Sequence, residues 1–396
     1  MARDYLTLAQ SMAQEIVFTR REFHQYPEAM HQEVQTNRRI RAFLDKHGIG
    51  YMAPADNITV AVLPGATPGR MAGIRCDTDA LEVQEQTGLP YQSKNPGMMH
   101  ACGHDGHITM GLYAALLLHQ HRAQRAGTVK IIFQPAEEGG KGALKVLDTG
   151  AAHDLDAIFG LHVWPTLPVG KIQLSPGPVC ASTDRFVIEV LGAGGHGAYP
   201  ERSTDALAAG AALVTQLQHV VSRFVPAMEP CVLSVCSFHA GNRWNIIPGA
   251  AQLEGTLRTF SQTVREEALT RMQEVIKATA QAHRCRATLT VHPVCGPIMN
   301  DADLTEHARK SAITVFGADH VQLQAPSVIG DDFAEFTATA PGCYAFLGIA
   351  SPDGSMGNLP LHHNQFTVDE NALPLGAAWL AQAADDYARN IAITQR

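Results

Sequence analysis

Residues 99–118 have the sequence Met99-His-Ala-Cys-Gly-His-Asp-Gly-His107 followed by Ile108-Thr-Met-Gly-Leu-Tyr-Ala-Ala-Leu-Leu-Leu118. The first nine residues contain three histidines, a cysteine and an aspartate, all of which can bind transition metals. Cys102 and His104 are two residues apart, so in an extended or loop backbone both side chains can reach one cation. The apolar run that follows is long enough for a buried helix. The stretch therefore predicts a ligand-bearing loop at a helix N-terminus, or a loop of hydrogen-bonded polar residues around an inert buried cysteine.

The composition is that of an ordinary globular protein. The chain has 396 residues, 45% hydrophobic and 17% charged, and this length predicts two domains. A net charge of -8 offers no basic surface, so neither nucleic acid nor an anionic membrane is expected as a partner. No apolar run is long enough for a membrane span, and the first residues lack the apolar core of a signal peptide, which predicts a cytoplasmic protein. The eight cysteines show no paired framework, and no disulfide is assigned.

Three predicted strands each lead to polar side chains that could act in a site. They are 71–76 followed by Asp77-Thr-Asp79, 127–133 followed by Glu137-Glu138, and 156–162 ending on His162. Open α/β sheets place their sites at such carboxyl ends. One of two adjacent glutamates can bind a cation while the other acts as a general base on the attacking water. Simpler explanations remain for each: a turn or helix cap, a solvated acidic pair at a helix start, and a hydrogen-bonded core histidine.

The order of the remaining elements predicts an inserted domain. Outside it, helices are predicted at 4–24, 33–47 and 370–390, and a further strand at 57–63. Between 185 and 297, strands are predicted at 186–191, 231–236, 251–257 and 287–291, and helices at 203–222 and 263–283. This β-α-β-β-α-β order is the ferredoxin-like split arrangement. We therefore expect an α/β domain at 1–184, a ferredoxin-like domain at 185–297, and the α/β domain resumed at 298–396.

Several strand ends of one α/β domain thus offer a metal ligand or base. The candidates are Asp79, Cys102, His104, Glu137, Glu138, His162, and either His362 or His363. A hydrolytic site with two metal ions needs about five protein ligands, one of them able to bridge, and a water. A thiolate combined with imidazoles favours zinc or another later transition metal over magnesium.

Seven motifs, in order along nearly the whole chain, resemble the aminoacylase/amidohydrolase branch of dinuclear metallopeptidases. That branch includes hippurate hydrolase, N-acyl-L-amino acid amidohydrolases and the plant auxin-conjugate hydrolases. The motifs are Arg20-Arg-Glu-Phe-His-Gln-Tyr-Pro-Glu28, Met99–His107, Phe133-Gln-Pro-Ala-Glu-Glu-Gly-Gly140, Leu161-His-Val-Trp-Pro165, Gly194-Gly-His-Gly-Ala198, Asn245-Ile-Ile-Pro-Gly249 and Gly255-Thr-Leu-Arg258. The resemblance implies an aminopeptidase-like α/β catalytic domain interrupted by a lid domain that also dimerises. It also implies cleavage of the amide bond of small N-acyl amino acids.

The resemblance assigns roles to individual residues. The implied metal ligands are Cys102, His104, Glu138, His162 and His362, where His362 takes the first place of the Leu-His-x-x-x-Phe pattern. Glu137 is implied as the general base, and His196 as a residue that binds substrate and stabilises the oxyanion. Asn245 and Arg258 resemble lid residues that bind substrate. Asp79, His100 and Asp105 are expected to orient the ligands. Two divalent ions per subunit are implied, Zn²⁺ or Mn²⁺ before Ni²⁺ or Co²⁺.

Three positions depart from the pattern of this family, and two other functions stay open. Glu82, Glu201 and Asp331 stand where the family usually has proline, histidine and glutamate. The first two would add negative charge if they lie near the site. A metallo-dipeptidase or carboxypeptidase is the alternative enzyme, and a non-catalytic binding homologue is the alternative from another class. A homodimer through the lid is expected by resemblance, with a tetramer as the larger alternative.

Overall fold

The computed structural model describes residues 4–139 and 141–389, and close contacts divide these into two compact units. The first unit comprises the chain up to Val179, Met299–Ala325 and the chain from Asp332. The second comprises Cys180–Ile298 and Pro326–Asp331. The domain limits predicted after 184 and after 297 stay predictions, as do the roles of catalytic domain and lid.

The first segment of the chain builds most of the first unit. Its elements are α1 Tyr5–Ser11, α2 Ala13–Gln25, α3 Val34–Lys46, β1 Tyr51–Ala55, β2 Ile58–Pro64, β3 Thr67–Asp77, α4 His104–Gln120, β4 Ala126–Gln134, α5 Gly142–Asp148, β5 Ala157–Pro168, β6 Ile172–Gln173 and β7 Gly177–Cys180.

The second unit has the ferredoxin-like order. Its elements are β8 Ser182–Leu191, β9 Gly195–His196, α6 Ala206–His219, β10 Cys231–Ala240, β11 Ile246–Ile247, β12 Ala250–Thr259, α7 Gln262–Ala282 and β13 Arg286–Cys295. The four long strands form an antiparallel sheet in the order β10-β12-β8-β13. Buried and more exposed residues alternate along β8, because one face of the sheet packs on α6 and α7.

The last segment completes the first unit. Its elements are β14 Ile298–Asn300, α8 Ala302–Phe316, β15 Val321–Gln322, α9 Phe333–Thr337, β16 Gly342–Ala350 and α10 Ala372–Arg389. The main sheet has the order β1-β2-β4-β3-β5-β16-β6-β15. Its central strands β4, β3, β5 and β16 run parallel, and every residue of β16 is buried. Helices α4 and α10 pack on the sheet and on each other. The described residues contain no helix with the length and apolar character that a membrane crossing requires.

Several predicted elements differ in their bounds from the observed ones, and for three of them the structure shows a local reason. The helix predicted at 4–24 is broken at Met12, where the Ser11 hydroxyl donates to the Leu8 carbonyl and competes with the helical ladder. Helix α4 begins at His104 and not at 108, because Gly103 has φ 87° and the helix continues directly from that turn. Strand β5 continues to Pro168 and not only to 162, since it stays paired with β16 after its pairing with β3 ends. Residue 390 of the last predicted helix lies outside the described residues.

Candidate metal centre and catalytic residues

The predicted metal ligands and their polar neighbours, called the polar cluster below, lie at one edge of the main sheet, where parallel strands end side by side. Strand β3 ends at Asp77 and the neighbouring β4 at Gln134, and these two residues are paired in register. The last residue of β5 paired with β3 is Gly160, opposite Arg75, so in this register His162 lies level with Asp77 at the end of β3. The loops that follow β3 and β4 bring Cys102 and Glu138 to the same edge. The sheet therefore brings together the predicted site residues that lie at its strand ends and on the loops that follow them.

Cys102 and His162 face each other in the buried part of the cluster. The Cys102 Sγ lies 3.4 Å from the His162 Nε2, and both residues are at least nine-tenths buried. The His162 Nδ1 donates a hydrogen bond to the Val163 carbonyl at 2.7 Å. This bond fixes the tautomer, so the Nε2 carries a lone pair directed at the thiol. Burial lowers the pKa of His162 well below its ordinary value, which keeps the imidazole neutral and able to bind a metal.

His104 is held in the same way. Its Nδ1 donates to the Asp79 carbonyl at 2.9 Å, and its Nε2 is buried without a hydrogen-bond partner. The Asp77 Oδ2 lies 3.7 Å from that Nε2. Burial opposes protonation of His104, but Asp77 and Asp79 offset it and raise the His104 pKa to about 10. At this pKa the ring is protonated when no metal is bound, and a cation at the Nε2 would take the place of that proton beside the same carboxylates.

Glu138 and His362 form the more exposed end of the cluster. The Glu138 Oε1 lies 3.1 Å from the His362 Nε2, without hydrogen-bond geometry to it. The His362 backbone N–H donates to the Ala101 carbonyl at 2.9 Å, which ties this residue to the segment carrying Cys102. His362 has φ 68°, a left-handed conformation that a non-glycine residue adopts at a cost of about 1–3 kcal/mol. In contrast, the neighbouring His363 accepts a hydrogen bond from the Gln365 N–H through its Nδ1.

The five predicted ligands fall into two overlapping groups of three. Cys102, His104 and His162 form one group, and Cys102, Glu138 and His362 form the other, with all ligand atoms in a group within 4.8 Å of one another. Cys102 is common to both. Glu137 belongs to a third such group, with His104 and Glu138. Burial, and then the carboxylates of Glu138 and Glu137, raise the pKa of the Cys102 thiol well above its ordinary value. A thiolate here therefore needs a cation beside it, and the donor set fits a pair of transition-metal ions.

Asp79 connects two of the predicted ligands. Its carbonyl accepts from His104, and its Oδ2 accepts from the Glu138 backbone N–H at 3.0 Å. Asp79 is completely buried. These two hydrogen bonds connect Asp79 to an imidazole and to the loop that carries Glu138, and its orienting role stays a prediction.

Arg75 and Asp332 support the cluster and were missed from the sequence. The Arg75 guanidinium donates to the Asp77 Oδ2 at 2.7 Å and to the Asp332 Oδ1 at 3.0 Å. The other Asp77 oxygen accepts from the His107 Nδ1 at 2.6 Å. The Val163 N–H donates to the remaining His107 nitrogen, so both nitrogens of that ring are used. The sequence signal for Arg75 was its place two residues before Asp77 on the same strand, where both side chains point to one face.

The side chain of Asp105 binds His24 and Arg20, which are not predicted ligands, and the side chain of His100 has no hydrogen bond to the described residues. The Asp105 Oδ2 accepts from the His24 Nδ1 at 2.7 Å and pairs with the Arg20 guanidinium at 2.8 Å. Both His100 nitrogens are buried without a hydrogen-bond partner, and burial lowers the His100 pKa to about 4. No described hydrogen bond joins either residue to a predicted ligand, and their orienting role stays a prediction.

Two of the predicted substrate residues of the second unit, His196 and Asn245, lie at a small hairpin, and the third, Arg258, lies on β12 opposite Thr183. Strands β9 and β11 pair His196 with Ile246, and the Asn245 carbonyl accepts from the Gly197 N–H at 2.9 Å. The His196 Nδ1 accepts from the Ala198 N–H, which leaves its Nε2 as an N–H donor on an exposed ring. The Arg258 guanidinium donates to the Thr183 and Thr256 hydroxyls, at 2.8 Å and 3.1 Å. His196 and Asn245 are thus neighbours within this unit.

Comparison with known proteins shows to which family this chain belongs. A model of peptidase family M20/M25/M40 matches residues 73–386. The chain belongs to this family. It is 38% identical to the N-acetylcysteine deacetylase of Bacillus subtilis (strain 168), over 93% of this chain and 96% of that protein. It is 41% identical to the N-acyl-L-amino acid amidohydrolase of Geobacillus stearothermophilus, over 70% of this chain and 75% of that protein. The crystal structure of the Bacillus subtilis YXEP protein, a dinuclear metal binding peptidase from the M20 family, matches with a TM-score of 0.84 and 34% identity, over 96% of this chain and 100% of that one.

Membership of the M20 family confirms several predictions. The resemblance, the α/β fold class and the enzyme class are confirmed, and this chain is a hydrolase of amide bonds. The roles of individual residues stay predictions. Two departures from the family pattern, Glu82 and Glu201, are exposed side chains, and Glu201 pairs with the neighbouring Arg202.

Proposed function

We propose that this M20 member is a metal-dependent amidohydrolase that cleaves N-acyl amino acids to a carboxylic acid and a free amino acid. The observation that carries the proposal is the meeting of Cys102, His104, Glu138, His162 and His362 in two groups that share Cys102, with Glu137 grouped with His104 and Glu138. The deacetylase and amidohydrolase names of the relatives support this substrate class.

The proposed cofactor is a pair of divalent ions held by the two groups of three ligands. Zn²⁺ or Mn²⁺ is proposed first and Ni²⁺ or Co²⁺ second, as the family resemblance implies; the thiol and imidazoles among the donors suit Zn²⁺, and the carboxylate suits Mn²⁺. Cys102 would serve both ions because it belongs to both groups. Such ions polarise a carbonyl oxygen and lower the pKa of a bound water.

Glu137 is the proposed proton carrier. It is partly buried next to Glu138, in one group with His104. Its carboxylate takes a proton from the attacking water and then delivers it to the leaving amine nitrogen. Since Glu138 binds metal in this proposal and Glu137 does not, the two adjacent carboxylates have separate tasks.

Three residues of the second unit are the proposed substrate contacts. The His196 Nε2–H can donate to the oxyanion that forms at the scissile carbonyl. Asn245 lies beside it and can donate to the acyl or amino acid part. The Arg258 hydrogen bonds go to hydroxyl and carbonyl oxygens, so its positive charge can be used to bind the substrate carboxylate.

A substrate panel tests the proposal. Hippurate, N-acetyl amino acids, indoleacetyl amino acids and dipeptides are assayed side by side with the metal-loaded protein. Faster cleavage of N-acyl amino acids supports the proposal, and faster cleavage of dipeptides would replace it with the peptidase alternative. If protein with two bound ions cleaves no member of the panel, the proposed substrate class is wrong.

We also infer a homodimer formed through the second unit. That unit exposes large apolar side chains, with Met228 at 92% and Trp244 at 95% exposure. Light scattering coupled to size-exclusion chromatography distinguishes monomer, dimer and tetramer. The cytoplasmic location stays a prediction that cell fractionation can test.

A further inference from the structure

The Glu33 side chain is completely buried and hydrogen bonded on both oxygens. Glu33 directly precedes α3, far in sequence from the catalytic glutamates. Its Oε2 accepts from the Asn57 Nδ2 at 3.1 Å, and its Oε1 accepts from the His31 backbone N–H at 2.9 Å. The same Oε1 also accepts from the Ala136 backbone N–H at 2.8 Å. A buried carboxylate with three donors is held firmly in place.

Ala136 is the residue directly before Glu137, and it has φ 52°. A non-glycine residue in this left-handed region costs about 1–3 kcal/mol unless its surroundings hold it there. Two buried carboxylates hold this loop by its backbone: Glu33 at the Ala136 N–H and Asp79 at the Glu138 N–H. The two anchored amides lie on either side of Glu137.

We infer that Glu33 is a positioning residue that fixes the direction of the Glu137 carboxylate through the Ala136 amide. This inference rests on the proposed role of Glu137. Misplacing a catalytic group by about 1 Å can cost on the order of 100-fold in rate. Glu33 itself does not touch the reacting atoms, so its effect is on kcat and not on substrate affinity.

The test variant is Glu33→Gln, with Glu28→Gln as the matched control. A side-chain amide accepts only through its oxygen, so the introduced amide must direct its NH₂ group either at the Ala136 N–H or at Asn57, whose own amide then has to turn over to accept it. Glu28 also accepts two backbone N–H groups, those of Gln35 and Thr36, but contacts no part of the 135–139 loop through its side chain. The expected kcat loss per metal-loaded site is about 10- to 100-fold for Glu33→Gln and under about 2-fold for Glu28→Gln, with KM unchanged in both.

A double variant distinguishes positioning from general destabilisation. When Glu33→Gln is combined with Asn57→Asp, the introduced amide can donate its NH₂ group to the introduced carboxylate while its oxygen accepts from the Ala136 N–H. Recovery of most of the lost kcat supports the inference. Should Glu33→Gln not fold, Glu33→Asp keeps the charge while withdrawing the carboxylate from Ala136, and the same kcat loss is expected.

Amide hydrogen exchange gives a second result that does not depend on activity. Exchange of the 134–139 segment should speed up in Glu33→Gln and stay at the wild-type rate in Glu28→Gln. Unchanged exchange in that segment, or unchanged kcat per metal-loaded site, in both Glu33→Gln and Glu33→Asp would overturn the inference. If the wild-type protein cleaves no N-acyl amino acid, the proposed function fails, while the exchange result still decides whether Glu33 holds the loop.

Discussion

Removing Cys102 should weaken the binding of both proposed metal ions, whereas removing a histidine from one group should weaken the binding of only one ion. The reason is that Cys102 is the residue shared by the two ligand groups, while His162 and His362 each belong to one. Cys102→Ala leaves two ligands in each group, and each single histidine variant leaves the other group complete. Loss of residues that merely orient ligands costs about 10- to 100-fold in metal affinity, so loss of the shared ligand should cost at least about 100-fold for both ions.

The assay is metal content by elemental analysis after dialysis against a series of free Zn²⁺ or Mn²⁺ concentrations. The wild-type chain should retain two ions, the His162→Ala and His362→Ala variants one tightly bound ion each, and Cys102→Ala neither at the concentration that saturates the wild type. Cys102→Ser is the conservative control, because a serine hydroxyl is similar in size to a thiolate but is a much weaker metal ligand. Two ions bound to Cys102→Ala with wild-type affinity would refute the shared-ligand reasoning, and so would the loss of only one.

Three further predictions concern catalysis and stability. Glu137→Gln should lower kcat by about 10²- to 10⁴-fold while two ions stay bound, and a near-normal rate would remove Glu137 as the base. Chelation with EDTA should abolish hydrolysis and lower the melting temperature, and Zn²⁺ or Mn²⁺ should restore both; activity that survives complete metal removal would contradict the mechanism. Arg75→Leu should cost about 3–5 kcal/mol in urea denaturation, because Asp77 and Asp332 lose their buried partner. Arg185→Leu, which breaks an exposed pair with Glu254, should cost under about 1 kcal/mol, and equal losses in the two variants would contradict the argument from burial.

The parts of the site that could be predicted from the sequence follow from local pattern. A buried apolar strand followed by polar residues identifies a strand end, and parallel strands bring their ends to one edge. This reasoning found Asp79, Glu137 and Glu138, and the motif resemblance separated His362 from His363. The structure gives that choice a geometric basis, since the His362 ring faces Glu138 and the His363 ring binds its own loop.

The residues that support the site could not be found in this way, because their partners are far apart in sequence. Arg75 meets Asp332 across 257 positions, and Glu33 meets Ala136 across 103. A lone buried arginine or glutamate has no local pattern that names its partner. The extension of β5 past His162 was missed for the same reason, since it depends on pairing with β16 near the other end of the chain.

The charge balance of the cluster links its chemistry to its stability. Asp77 is neutralised by Arg75 and hydrogen bonded by His107, and Asp79 accepts from a backbone amide. The Glu138 carboxylate lies beside the imidazole of His362, and burial followed by the Glu138 carboxylate raises the pKa of the Cys102 thiol. Burying a thiolate and a carboxylate together is unfavourable without positive charge. Cations bound between them would therefore stabilise the folded chain as well as supply the chemistry, which is why the melting temperature and the hydrolytic rate should respond together to metal.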